Sequence, residues 1–180
     1  MNIERRSRPG STIDGFVLVV GRDWVLLSKT TEGGYFDGHA AIRISDIKRA
    51  RPDRSFQSDF ARTQPDWPPS LPLRREDLDL DSTKSMLRSL LVAGHMIGIE
   101  RDLRVEAIWI GVPDGLTKKF LYLWEVTPQA TWHEAPLGYK LKTIRTVIFD
   151  DRYQTALAAM AGNSPADAAS DWAHDLEKMR

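Results

Sequence analysis

The segment Ile44-Ser-Asp-Ile47-Lys-Arg-Ala50-Arg-Pro-Asp53-Arg-Ser-Phe56-Gln57-Ser58-Asp-Phe60-Ala61 returns in the second half of the chain as Leu141-Lys-Thr-Ile144-Arg-Thr-Val147-Ile-Phe-Asp150-Asp-Arg-Tyr153-Gln154-Thr155-Ala-Leu157-Ala158. Ile47/Ile144, Asp53/Asp150, Gln57/Gln154 and Ala61/Ala158 are identical, and Lys48/Arg145, Ala50/Val147, Phe56/Tyr153 and Phe60/Leu157 are close swaps. Upstream, Gly15 matches Gly111, Trp24-Val-Leu-Leu27 matches Phe120-Leu-Tyr-Leu123, and Phe36 matches Trp132. One structural unit is therefore expected twice, with Ile47, Ile144, Phe56 and Tyr153 buried in corresponding places.

Working outward, residues 1–10 are polar and end in Pro9-Gly10, which reads as a mobile lead-in with no signal-peptide run. Phe16–Val20 and Trp24–Leu27 are β-rich runs separated by turn residues, and 40–50 alternates loosely. Asp53 is placed to cap a helix carrying Phe56, Phe60 and Ala61. Pro65 to Pro72 holds four prolines, so 65–80 reads as an extended linker. Ser82 caps a helix with the stripe Met86, Leu87, Leu90 and Leu91, ended by Gly94. Strands follow at 95–100, 105–112 and 120–126, with Pro113-Asp-Gly115 as a turn, then one or two more over 139–149. Asp150 or Asp151 caps a helix with Tyr153, Ala156, Leu157 and Met160 on its apolar stripe. Gln57 and Gln154, one turn in, are placed to fasten these helices through amide hydrogen bonds. After Ser164-Pro165, Trp172, Leu176 and Met179 at i, i+4, i+7 mark a terminal amphipathic helix.

A helix followed by about five short strands resembles the Sm-like small β-barrel. Ile99-Glu100-Arg-Asp-Leu-Arg-Val-Glu-Ala-Ile-Trp-Ile-Gly111 fits that family's first strand pair, and Phe120 to Glu125 fits its third strand. The resemblance covers 82–149 and, more loosely, 13–51. It implies two small Sm-like (SH3-like) barrels in tandem, each followed by a helix: a mostly β (α+β) protein. The expected organisation is a first barrel unit over 1–64, the linker 65–80, a second unit over 81–162 and a terminal helix over 163–180. The chain also resembles a group of uncharacterised bacterial proteins with a strand-loop-strand-helix ending, which implies no mechanism. Where Sm-like RNA binders carry an Asp-x-Asn triplet and an Arg-Gly or Lys-Gly pair, this chain has Lys119-Phe120-Leu121 and Lys142-Thr143. The base-reading Asn and the accommodating Gly are absent, so the family's uridine pocket does not carry over.

Composition narrows the function classes. Lys+Arg and Asp+Glu stand at 25 each, so no global field draws the chain to nucleic acid or an anionic membrane. There is no cysteine, which removes disulfides and thiolate chemistry and suits a cytoplasmic location. No apolar run is long enough to span a membrane. The four histidines show no metal-ligand spacing, and no phosphate loop or nucleophile elbow occurs, so no metal, cofactor or catalytic residue is assigned. His133-Glu134 could in principle act as acid and base, but reads as an exposed loop pair beside a buried Trp132. The expected function is non-catalytic binding of another protein, of an immunity, antitoxin-like or adaptor kind. Trp67, Trp132, His133 and Trp172, lying outside the regular elements, are the candidate contact residues. The alternative is RNA or DNA binding through the basic segment 43–54, with Lys48, Arg49, Arg51 and Arg54 meeting phosphates.

Overall fold

A computed structural model describes residues 1–91, 95–102 and 107–166. Ten strands build one antiparallel sheet: β1 (Asn2–Arg5), β2 (Thr12–Val20), β3 (Trp24–Thr30), β4 (Phe36–Arg43), β5 (Ile47–Arg51), β6 (Ile97–Arg101), β7 (Trp109–Leu116), β8 (Phe120–Glu125), β9 (Leu137–Lys140) and β10 (Ile144–Phe149). Three α-helices accompany it: α1 (Phe56–Ala61), α2 (Thr83–Leu90) and α3 (Arg152–Ala161). Among the described residues no helix is long and apolar enough to cross a membrane. The fold is thus mostly β with helices, as the sequence implies.

The strand order is β5-β1-β2-β3-β4-β10-β6-β7-β8-β9. Each half has the same internal order: its last strand, then its first four in sequence. The halves do not form two separated bodies. β10 pairs with β6 of its own half and with β4 of the other, setting Thr146 opposite Ile42, Val147 opposite Ala41 and Ile148 opposite Ala40. The duplicated motif is visible in the backbone. A single 3₁₀ turn joins β4 to β5 (Ile44–Asp46) and β9 to β10 (Leu141–Thr143), then a helix follows. Gly15 on β2 and Gly111 on β7 are also equivalent. A Cβ at either would collide with the neighbouring strand's carbonyl, Ser28 O or Trp124 O, so only glycine permits the close crossing there.

One core crosses the seam. Trp24, Leu26 and Ala41 of the first half share it with Leu121, Leu123, Ile144 and Val147 of the second, and α2 covers it with Met86, Leu87 and Leu90. Ser82 caps α2 by accepting from the Ser85 N–H at 3.1 Å, as its position predicts. A second cluster gathers Ile3, Ile13, Val25, Leu27, Ala40, Ile42 and Ile148 on the other face of the first half. β3 is consequently buried on both faces.

Several expectations are corrected. Residues 1–10 are not a mobile lead-in. β1 lies between β2 and β5, and Arg5 and Arg8 are buried where they flank Glu100 of β6. Arg8 approaches Glu100 Oε1 at 3.5 Å and donates to Ala107 O at 2.6 Å. Buried arginines hid the strand's alternation. The linker is not extended throughout, since Arg75–Asp77 form a 3₁₀ turn, and it is tied down: Leu80 is buried and its carbonyl accepts from the Asp23 and Trp24 N–H groups. Pro113-Asp-Gly115 lies inside β7 at a register shift, and Thr117 to Lys119 form the turn instead.

The helix faces also differ. Phe56 and Tyr153 are 73% and 56% exposed, Ile47 is half-buried, and Ile144 is fully buried. The helices turn Ser58 and Ala61, or Gln154 and Leu157, inward. Helices this short bury only a narrow stripe, and it leaves out the aromatics of their first turn. Gln154 does fasten α3, donating to Ile148 O at 3.0 Å. The caps are Ser55 and Asp151, each one residue before its helix. Asp53 instead accepts from the Ser55 N–H at 2.9 Å, and Asp150 takes a left-handed φ of 60°. The stop at Gly94 and most of the terminal helix (167–180), with Trp172, lie outside the described residues.

Ile144→Ala should destabilise the chain by roughly 2–5 kcal/mol in denaturant unfolding. Phe56→Ser and Tyr153→Ser should change stability by no more than about 0.5 kcal/mol, the scale of exposed substitutions.

Candidate functional site

Among the described candidate contact residues, Trp67 and the pair Trp132-His133 lie in different halves. Trp67 sits against β2 in the first half. Its ring meets Phe16 edge-on at 4.9 Å, and the Arg62 guanidinium lies over both rings, at 5.8 and 5.5 Å. A groove of about 430 Å³ opens there, lined by Met1, Phe16, Val17, Arg62, Trp67 and Pro68 among others. Trp67 remains 37% exposed and Val17 41%. The proline run explains this geometry: lacking donors, it lies across the sheet face without needing ladder partners.

Trp132 belongs to the other half. It is half-buried, forms a bridge to Val126, and its indole N–H donates to Ala161 O at 3.0 Å, pinning the end of α3. His133 is exposed, and its backbone N–H donates to Glu125 O at 2.9 Å. That bond is to the main chain of Glu125, and the charge of His133 also acts on the Glu125 carboxyl. Glu125 is buried, and its Oε1 has no hydrogen-bond partner among the described residues. Burial pushes its carboxyl pKa up, opposed by the charges of His133 and Arg101.

The basic segment lies on the edge strand β5. Lys48 pairs with Glu4 at 2.6 Å. Strand alternation sends Lys48 to one face and Arg49 and Arg51 to the other, so the four cations, Arg54 included, do not share one surface. Sequence reading missed a denser group. Antiparallel pairing sets Phe120 opposite Lys140, bringing Lys118 and Lys119 of the β7–β8 turn beside Lys140 and Lys142. The four line a cleft of about 650 Å³ with Phe120 and Leu141, and none has a carboxylate within 4 Å among the described residues. The signal was present as two lysine pairs flanking strands that pair, but only the register joins them.

At the seam, the His39 ring stacks on Phe149 at 5.1 Å with Nδ1 3.7 Å from the Asp150 carboxylate. The neighbouring imidazole is the main reason that carboxyl titrates below its ordinary range. Among the described residues no three His, Asp or Glu side chains gather into a set able to hold a metal ion. No protein-family model matches the chain, and no curated protein or solved structure matches it.

Glu125→Gln provides a pH test. With the folded pKa raised, the folded state gains protons relative to the unfolded one, so the wild-type contribution is intact below the ordinary glutamate value and lost as pH rises through the folded one. The variant should therefore be more stable than wild type at neutral pH, and the gap should close at pH below about 4. Melting temperatures across pH 3 to 8 check this.

Proposed function

We propose that the chain is a non-catalytic protein-binding module of the adaptor or immunity kind, built from two tandem Sm-like (SH3-like) units. The matching strand order of the halves, the equivalent glycines and the repeated 3₁₀ turn support the tandem part. The Trp67 groove carries the functional part. A partly exposed Trp and an Arg stacked on aromatics, bordered by prolines, form the composition that concentrates binding energy in protein interfaces. The bland account, in which Trp67 only locks the linker, explains the Phe16 contact but not an open groove beside it.

Nucleic-acid binding is the second reading, favoured by the clustering of cations at both ends of the sheet. Against it stand the zero net charge and the divided faces of β5.

Capture from producing cells on immobilised full chain should retain a protein partner. Trp67→Ser should weaken that partner by about 30-fold, the scale of a 2 kcal/mol hot spot, while the variant's circular dichroism spectrum shows the chain still folded. Equal capture by both would sink the groove assignment. In anisotropy titrations at about 0.15 M salt, RNA and DNA oligomers should bind only weakly. Tight binding lost on replacing Lys48, Arg49, Arg51 and Arg54 with Ser would reverse the order of the readings.

A further inference from the structure

We infer that the outer edge of β9 is a docking site for an extended acidic segment of a partner protein, which adds as an antiparallel strand. This rests on the reading of the chain as a protein-binding module and names a second surface for it, at the other end of the sheet from Trp67.

The first half supplies the template. β4 occupies the place in its half that β9 occupies in the second. Each is followed directly by the 3₁₀ turn, so Ala40, Ala41, Ile42 and Arg43 correspond to Leu137, Gly138, Tyr139 and Lys140. The outer edge of β4 is covered by β10 in antiparallel register. Arg43 completes that joint, donating to Ile144 O at 3.0 Å, Leu141 O at 3.1 Å and Thr83 Oγ1 at 2.6 Å. On β9 the inner edge is taken by β8, with Leu121 opposite Tyr139 and Leu123 opposite Leu137. Among the described residues no strand pairs with its outer edge. Its outward backbone groups there have no strand partner, although the Lys140 carbonyl accepts from the Thr143 hydroxyl at 2.8 Å, and the Lys140 side chain stands in solvent where its counterpart grips a neighbour.

Charge selects the occupant. Lys118, Lys119, Lys140 and Lys142 gather at one end of this edge, around Phe120 and Leu141. A second copy presenting the equivalent of β10 would bring β5, whose Lys48, Arg49 and Arg51 add cations to cations. Pro52, which follows β5, also removes a donor from that joint. An acidic strand meets both requirements: its backbone completes the ladder and its carboxylates neutralise the lysines. The partner's side chains on alternate positions would face Phe120 and Tyr122, which pack 6.1 Å apart on one face of β8.

The test uses the full chain and a fluorescent peptide, acetyl-Glu-Val-Glu-Val-Glu-Val-Glu-amide, at about 0.15 M salt, where the Debye length is near 8 Å. The peptide should bind, and its binding should shift the backbone amide resonances of residues 137–140. N-methylation of alternate peptide amides keeps the charge and blocks one ladder edge. It should weaken binding about tenfold, the cost of one or two net hydrogen bonds. The variant K118E/K119E/K140E/K142E, which alters exposed side chains only, should abolish binding. Trp67→Ser should leave it unchanged, so the two surfaces fail or stand separately. The inference is overturned if the peptide does not bind, if the methylated peptide binds equally, or if 137–140 do not shift. It is overturned equally if an oligothymidylate binds this edge more tightly than the peptide, or if the chain self-associates through it, since then nucleic acid or a second copy is the occupant.

Discussion

The pairing of β10 with β4 is the constraint on which the rest of the structure depends. It makes the last strand of the second half the central strand of the whole sheet, with Thr146, Val147, Ile148 and Phe149 all buried. Through it the two halves share the main core, to which both contribute. Two clasps hold the joint. Arg43 reaches over the seam to the 3₁₀ turn, to the start of β10 and to the first turn of α2, while its guanidinium lies 5.0 Å from the centre of the Trp24 ring. Arg5 and Arg8 close on Glu100, with Arg5 also donating to Thr146 at 3.1 Å. Such a buried ionic group adds little net stability over an apolar one, but it is strongly unfavourable in any arrangement that separates the partners. It therefore selects the register in which β1 lies over β6 and β10.

The two copies of the repeat differ where their surroundings differ. β10 reads Ile144-Arg-Thr-Val-Ile-Phe149, and β5 with its successor reads Ile47-Lys-Arg-Ala-Arg-Pro52. A strand with neighbours on both sides and packing on both faces needs apolar residues in succession. A strand at the rim is safer with cations and a proline, which discourage edge-to-edge pairing. Thr146/Arg49, Ile148/Arg51 and Phe149/Pro52 thus report position in the sheet rather than drift within one unit.

Much of the fold was legible because the repeat fixed equivalences that periodicity alone would have left open. The strand-turn-strand-helix ending, the stripe of α2 and the Gly15/Gly111 pair all follow from sequence. What was not legible has physical causes. β1 alternates Ile3 with Arg5, and a buried Arg is indistinguishable from an exposed one until its carboxylate partner, 95 residues away, is placed. Phe56 and Tyr153 look like core residues by chemistry, but the inward face of each helix is set by where the preceding strand delivers the chain. The continuity of the sheet was hidden for a related reason. A duplicated unit predicts what each half looks like, whereas the contact between halves depends on which edges remain free and which residues line them.

The candidate surfaces show the same division between local and long-range information. Of the tryptophans outside regular elements, Trp132 pins α3, whereas Trp67 borders an open groove. Charge counts were less informative still. A net charge of zero conceals the placing of cations at both ends of one sheet, with carboxylates such as Glu100 and Glu125 drawn inward. The two rims are nonetheless chemically unlike. At β5, Arg49 and Arg51 place charge along the rim, and Pro52, directly after the strand, offers no backbone N–H. At β9 the lysines flank Leu137, Gly138 and Tyr139 and leave the ladder groups of those residues intact. An edge that is protected by charge but still able to pair is closed to cationic and apolar strands and open to an acidic one, so the feature that guards the sheet against aggregation also sets what it can accept.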